Sequence, residues 1–416
     1  MPVRGILTLP GDKSISHRAL MISSLIDGKN YIKNLSTSND VKKTLNCLNA
    51  LGVRSCYEND ILVVEGNTLG KPNKDLDCGN SGTTMRLLAG LIGGLNIPAK
   101  LTGDQSLSKR PMYRIINPLQ DMQVNITCNK NNPPIIIKKT NNLINLSYNQ
   151  EVASAQVKSS LLLCGLSANR RIIIHEEIKT RNHTEIMLKH LGANINTHNG
   201  KITLNPLNQK LNNLEVEIPG DISSASFFIG AACMIPNSDL IIKDVLVNDS
   251  RIGFIKALQK MGAGIEINNK RMRNGEPIGD IGVFYKPLHA INLDKDTIPY
   301  IIDELPILAV VATQAEGATI IAGAEELRYK ESDRIHTLCS NLKAMGVTVI
   351  EKKDGFIIEG PAILSNANIK SYDDHRIAMA FIIAGISSGN YNTIDNIECI
   401  NSSFPEFIDT LKTIIR

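Results

Sequence analysis

"GDKSISHRALMISSL", residues 11–25, places a glycine turn, an Asp-Lys-Ser step and an arginine ahead of a dense apolar run. A nucleotide P-loop needs Gly, Lys and Ser/Thr in direct succession, after a Gly further back. Asp12 separates Gly11 from Lys13, so that reading fails. The same design, a polar helix-starting cluster followed by apolar residues, returns five times. The copies are "GNSGTTMRLLAGLIGG" (79–94), "VASAQVKSSLLLCGL" (152–166), "GDISSASFFIGAACM" (220–234), "IIDELPILAVVAT" (301–313) and "YDDHRIAMAFIIAG" (372–385). Measured from Ser14, Ser81, Ser154, Ser223, Asp303 and Asp373, they recur every 67 to 80 residues. Self-similarity at a near-constant period marks a repeat architecture.

A second marker interleaves with the first. Leu51-Gly52-Val53, Met122-Gln123-Val124, Leu191-Gly192-Ala193, Met261-Gly262-Ala263 and Met345-Gly346-Val347 each close an amphipathic stretch, and "FPEFIDTLKTII" (404–415) reads as the sixth. Between the helices lie β-branched runs such as "ILVVEG" (61–66), "RIIIHEE" (171–177) and "FIIEG" (356–360). Asn59-Asp60, Asn199-Gly200 and Asp354-Gly355 are hairpin dipeptides. Each repeat is therefore an α+β module with one apolar, buried helix and one amphipathic, outer helix. Three modules closing around their buried helices make one domain, so the chain makes two similar domains. A ragged solenoid is the competing arrangement. The Asn/Lys-rich stretch 205–214 is the expected crossover.

Bulk properties narrow the function. A chain of 416 residues has ample core for two domains. A net charge of +4, well interspersed, argues against general nucleic-acid binding, and the absence of Trp argues against base-stacking platforms. Apolar runs such as "AMAFIIAGI" (378–386) fall well short of a membrane span. Pro2, Arg4, Pro10, Asp12 and Lys13 interrupt any signal-peptide pattern. Eight scattered cysteines without a C-x-x-C pair fit a reduced, cytoplasmic protein. No His or Cys cluster has metal-ligand spacing, so no metal is expected.

The helix starts carry more than caps. Capping needs one Ser, Thr, Asp or Asn, whereas these starts also carry Lys13, Arg18, Arg86, Lys158 and Arg376. The helix dipole already makes an N-terminus positive, so cations there point to a bound anion. "GDQSLSKRPM" (103–112) adds Lys109 and Arg110, unless it is only an exposed basic turn. "ELRYKESDRI" (326–335) adds Arg328, Lys330, Glu331 and Arg334, although one solvated charged helix explains such a run equally well. "DELP" (303–306) and "YDDHR" (372–376) set carboxylates against apolar helices, as caps or as positioned bases. No nucleophile elbow is present. The pattern favours general acid–base chemistry on substrates carrying several negative charges.

"LPGDKSISHRAL", "GNSGTTMRLL", "RPM", "SAQVKSSLL", "RNHTE", "PGDISSAS", "DELP", "ELRYKESDRI", "YDDHR" and "FPEF" occur in the order seen in the 5-enolpyruvylshikimate-3-phosphate synthases, and the chain resembles that family over nearly its whole length. The resemblance implies the enolpyruvyl transferase fold: domains 12–221 and 1–11 plus 222–416, each of three βαβαββ units, with the active site in the cleft between them. It implies transfer of the enolpyruvyl group of phosphoenolpyruvate to the 5-hydroxyl of shikimate 3-phosphate, by a monomer that needs no cofactor. Carried over residue by residue, Lys13, Ser14, Arg18, Ser154, Ala155, Gln156, Arg181, Asp303 and Lys330 resemble shikimate 3-phosphate contacts. Lys13, Asn80, Gly82, Arg110, Gln156, Arg334, His375 and Arg376 resemble phosphoenolpyruvate contacts. Asp303 is similar to the base that takes the 5-hydroxyl proton. Glu331, or else Lys13, is similar to the acid that protonates the methylene carbon.

"GDKS", "SAQVK" and "RNHTE" resemble the second, often glyphosate-tolerant, bacterial branch, although Gly82 leaves room for that inhibitor. Ser402, Glu326 and Leu87 stand where the other branch has lysine, asparagine and proline. Two readings compete with the synthase. A UDP-N-acetylglucosamine enolpyruvyl transferase would carry a loop cysteine before "RPM", where this chain has Ser106, Leu107, Ser108 and Lys109. A non-catalytic anion-binding relative would have no need of an acid and a base together.

Overall fold

The computed structural model describes residues 1–140, 142–389 and 391–415. Its apolar helices are Lys13–Ser23, Gly82–Gly94, Ala155–Ala168, Ile222–Met234, Leu305–Ala312 and His375–Ser387. All of Ile222–Met234 is buried, as its unbroken apolar run demands. The amphipathic partners are Asn39–Ala50, Tyr113–Asp121, His183–His190, Gly253–Lys260, Arg334–Ala344 and Phe407–Ile414. The caps fall beside the residues used to find the period. Asp12, Ser81, Ser154, Asp221 and Asp374 accept hydrogen bonds from amides of their own helices, whereas the residue at the cap position of Leu305–Ala312 makes no such bond.

Residues 11–218 together with 273–276 form one unit. It holds three four-stranded sheets of one design: an outer strand in parallel, then an antiparallel hairpin. In the first sheet Gly28–Lys33 lies between Glu215–Glu217, parallel to it, and Ile61–Gly66, antiparallel. Asn59 and Asp60 both take positive φ at the tip, as a type I′ turn requires. Pairing of Glu215–Glu217 with the first copy closes the three modules on each other, which rules out the solenoid. It also corrects the crossover. Residues 205–214 belong to this unit, because Asn213 donates to the Asp27 and Lys29 carbonyls and Leu214 N to Asn30 Oδ1. The chain leaves the unit after Ile218.

Two helices of this unit approach closely because small residues let them. A Cβ at Gly90 would lie 2.0 Å from the Ser160 carbonyl oxygen, and one at Gly94 would lie 2.4 Å from that of Cys164. The gap is bridged by Ser160 Oγ donating to Arg86 O (2.8 Å) and Ser167 Oγ to Leu91 O (3.0 Å). This contact brings the first turns of Gly82–Gly94 and Ala155–Ala168 side by side.

Residues 1–10, 219–272 and those from 277 onward form the other unit. Arg4–Thr8 pairs in parallel with Asp239–Leu246, Ile6 opposite Ile241. The fifth copy repeats the design with Leu288–His289, Ala315–Ile321, Gly355–Gly360 and Val349–Lys352. The sixth departs from it: Asn368–Ile369 and Thr393–Ile394 pair in parallel, and no antiparallel hairpin extends them among the described residues. "FPEF" is a core motif here, with Phe404 and Phe407 packed on Phe228 at centroid distances of 6.0 and 5.6 Å. Among the described residues, no helix is long and apolar enough to cross a membrane.

Candidate active site

In the unit of residues 11–218, polar side chains gather at the starts of the three apolar helices. Lys13, first residue of its helix, pairs with Asp40 at 2.9 Å. Arg18, only 2 % exposed, donates from Nε to Thr184 Oγ1 (2.7 Å) and from its other nitrogens to Ser159 Oγ (2.6 Å) and the Ser14 carbonyl (2.7 Å). These three acceptors are neutral. Ser154 caps Ala155–Ala168, so Ala155 and Gln156 open that helix. Gln156 accepts from Arg86 at 2.7 Å and donates to Thr83 Oγ1 at 2.9 Å. Arg181 lies two residues before the His183–His190 helix.

Asn80, Gly82 and Arg110 also come together. Arg110 donates to Asn80 Oδ1 and, at 3.3 Å, to Ser106 Oγ, while Asn80 Nδ2 donates to Asp104 at 2.9 Å. A Cβ at Gly82 would lie 2.7 Å from an Arg86 guanidinium nitrogen and 3.4 Å from one of Arg110, so this glycine borders both arginines. Arg110 is buried and follows the short Leu107–Lys109 helix, which excludes the exposed-turn reading for it.

The other unit carries the second constellation. Arg334 is 1 % exposed and donates to Asp374 Oδ2 (2.7 Å) and Oδ1 (3.2 Å) and to Glu331 Oε2 (2.7 Å). Asp303 Oδ1 lies 3.7 Å from it. Burial disfavours the charge, but Asp374, Glu331 and Asp303 together outweigh burial and hold the guanidinium pKa above its ordinary value. Arg376 donates to the Asp303 carbonyl at 2.9 Å and lies 3.8 Å from its carboxylate. His375 opens the helix capped by Asp374, and Lys330 directly precedes Glu331. The expected acid and base thus share one buried arginine. "ELRYKESDRI" is not one solvated helix: Glu325–Tyr329 is a short 3₁₀ turn, and a new helix begins at the buried Arg334. Arg328 serves structure there, holding Asp333 and Glu351.

Some helix-start cations are already matched by acids. Lys158 is 1 % exposed and neutralised by Glu176 and Glu185, so the sequence reading of it as a cation awaiting an anion is wrong. Asp40 and Asp374 hold Lys13 and Arg334. "YDDHR" carried a signal for Asp374, although Asp373 served as the marker. Nothing local marks Asp40, 26 positions past Ser14 in sequence. Ser402 donates to the Cys399 carbonyl at 2.8 Å and brings no charge. Burial raises the Cys164 and Cys233 thiols to about 12, which makes them poor nucleophiles. Among the described residues no His, Cys, Asp or Glu cluster could hold a metal ion.

The backbone matches solved enolpyruvyl transferases. An EPSP synthase structure from Acinetobacter baumannii superposes with a TM-score of 0.87 at 38 % identity, covering 99 % of this chain and 96 % of that one. The enolpyruvyl transferase NikO from Streptomyces tendae, only 14 % identical, still reaches a TM-score of 0.80 over 99 % of this chain and 95 % of its own. The fold is therefore the enolpyruvyl transferase fold. The family described as EPSP synthase (3-phosphoshikimate 1-carboxyvinyltransferase) matches residues 1–411. A 3-phosphoshikimate 1-carboxyvinyltransferase of Thermodesulfovibrio yellowstonii is 47 % identical, covering 99 % of this chain and 97 % of its own. One of Oceanobacillus iheyensis is 44 % identical, covering 100 % of this chain and 97 % of its own. The chain belongs to the EPSP synthase family.

Proposed function

We infer that the chain is a 3-phosphoshikimate 1-carboxyvinyltransferase, joining phosphoenolpyruvate to the 5-hydroxyl of shikimate 3-phosphate with release of phosphate. The observation that carries the mechanism is the pair of carboxylates, Asp303 and Glu331, gathered on Arg334. The 5-hydroxyl oxygen attacks C2 of phosphoenolpyruvate while Asp303 takes its proton, and C3 takes a proton from Glu331 or Lys13. The tetrahedral adduct then returns a methyl proton to the group that gave it, the C2–O bond to phosphate breaks, and phosphate departs with the proton held by Asp303.

Glu331 must be protonated to act as the acid, yet it is ion-paired at 2.7 Å. A phosphoenolpyruvate anion taking up Arg334 weakens that pairing and sets negative charge beside Glu331, and both raise the carboxylate's affinity for a proton. Arg110 and Arg86 donate to neutral amides and add positive charge for the same anion. Arg18, Ser14, Ser154–Gln156, Arg181 and Lys330 take shikimate 3-phosphate, and the two constellations serve one reaction. Both come from one chain, which supports a monomer, and eight free cysteines suit a reducing compartment.

Phosphate release by the purified protein tests this reading. Release is expected with phosphoenolpyruvate plus shikimate 3-phosphate and not with UDP-N-acetylglucosamine. Asp303→Ala should lower kcat by about 10²–10⁴-fold, as loss of a positioned base does. An Asp303→Ala enzyme of unaltered rate would remove Asp303 as the base. The "GDKS", "SAQVK" and "RNHTE" motifs support membership of the glyphosate-tolerant branch, with Gly82 opposing it. An inhibition constant for glyphosate in the low micromolar range would exclude tolerance.

A further inference from the structure

Lys158 is a buried cation for which the reaction supplies no use. It contacts Glu176 Oε1 at 2.9 Å and Oε2 at 3.0 Å, and Glu185 Oε1 at 2.8 Å. The three residues come from three elements. Lys158 is in the opening turns of Ala155–Ala168, Glu176 follows the strand Ile172–His175, and Glu185 is in His183–His190. Glu176 Oε1 reaches further, accepting from the Thr180 backbone N–H at 3.1 Å and from the Thr180 hydroxyl. Lys158 therefore sits just after Ser154–Gln156, and the other end of its hydrogen-bond chain stops one residue short of Arg181. Neighbouring positions tie the same two helices again, since Thr184 donates to Ser159 at 2.8 Å and both bond Arg18.

A buried ion pair adds little net stability against well-packed apolar residues, and its best-attested use is to fix one arrangement of the elements it joins. The loop 176–182 has no strand or helix of its own between Ile172–His175 and His183–His190. Its position rests on bonds such as those that Glu176 makes. We propose that Lys158, Glu176 and Thr180 are positioning residues for shikimate 3-phosphate, holding Arg181 in register with the helix start at Ser154–Gln156. The inference rests on the assignment of Arg181 and Ser154–Gln156 to that substrate. Gln156 ties that helix start to the second copy through Arg86 and Thr83, but Asn80, Gly82 and Arg110 lie in that other copy, so loss of the bonds at Glu176 and Thr180 bears on shikimate 3-phosphate more than on phosphoenolpyruvate.

Steady-state kinetics and shikimate 3-phosphate calorimetry on the full chain test it. Glu176→Gln leaves Lys158 its Glu185 partner and is expected to raise KM for shikimate 3-phosphate about tenfold, with KM for phosphoenolpyruvate and kcat little changed. Thr180→Val should do the same and Thr180→Ser should restore the parent value, which keeps the test open if Glu176→Gln does not fold. In an Arg181→Ala background, Glu176→Gln should add nothing, because both act on one contact. Folded Glu176→Gln and Thr180→Val enzymes with parental KM, beside an impaired Arg181→Ala, would overturn the positioning role alone. An Arg181→Ala enzyme that binds shikimate 3-phosphate as the parent does would overturn the site assignment and the inference with it.

Discussion

Replacing Asp374 with asparagine changes one atom at the centre of the second constellation. The carboxylate is fully buried and accepts two bonds from Arg334, one from Ser332 Oγ at 3.1 Å and one from the Arg376 backbone N–H at 3.0 Å. The carboxamide can keep the cap bond through its oxygen, but its NH₂ then meets the guanidinium donor to donor. Charge-assisted hydrogen bonds contribute roughly 1.5–3 kcal/mol each, and breaking a buried ion pair costs about 3–5 kcal/mol. Arg334 retains Glu331 at 2.7 Å and Asp303 at 3.7 Å, which places Asp374→Asn at the lower end, about 3 kcal/mol. With urea m-values of about 1–3 kcal/mol/M, the denaturation midpoint should fall by roughly 1–3 M. Arg334 should also shift toward the remaining carboxylates, raising KM for phosphoenolpyruvate. A midpoint and a KM both equal to the parent's would mean that Asp374 does not place Arg334.

Burial, aided by the charges of Lys13 and Arg18, lowers the His17 pKa well below its ordinary value. Below about pH 6.5 the unfolded chain binds a proton there that the folded chain refuses, so stability falls as pH falls, by about 1.4 kcal/mol per unit. His17→Asn should flatten that slope between about pH 7 and 5 in denaturation midpoints, and parallel curves for the two proteins would refute the reasoning. Gly82→Ala puts a Cβ 2.7 Å from the Arg86 guanidinium, whose end must shift beside its bond to Gln156. Strain on that charge-assisted bond should raise KM for phosphoenolpyruvate, by up to about tenfold if the bond is lost; an unchanged KM would detach Gly82 from the site.

The repeat was legible because its causes are local. A run such as Ile222–Met234 allows no exposed face, caps sit within three residues of the amides they serve, and Asn59-Asp60 and Asn199-Gly200 dictate their own turns. The charge partners were illegible because tertiary structure chooses them. Lys13 finds Asp40 27 residues on, Arg334 finds Asp374 40 residues on, and Lys158 finds Glu176 18 residues on. Sequence therefore marked Lys158 as a helix-start cation but could not show that Glu176 and Glu185 neutralise it within the fold. The crossover failed for a related reason: polar composition at 205–214 resembles a linker, while Asn213 donates to the Asp27 and Lys29 carbonyls and Leu214 N to Asn30 Oδ1.

The repeat breaks its own rule beside the proposed base. Five apolar helices take a cap from Ser or Asp, which occupies that side chain with backbone amides. At Leu305–Ala312 the cap position holds Glu304 in a helical conformation without a cap bond. The Glu304 side chain is instead buried and accepts from Ser223 Oγ, which in turn accepts from Arg251 at 2.8 Å. Going without a cap costs about 1 kcal/mol. In exchange, the cap position falls on Glu304 rather than on the adjacent Asp303, whose carboxylate lies within 4 Å of both Arg334 and Arg376. A carboxylate bound to helix amides is a weak base, since those bonds stabilise its charged form. One held beside arginines that a substrate anion can engage regains basicity when the anion arrives. The departure from symmetry is therefore what a proton acceptor at this position requires, and Ser223 and Arg251 hold the turn that makes it.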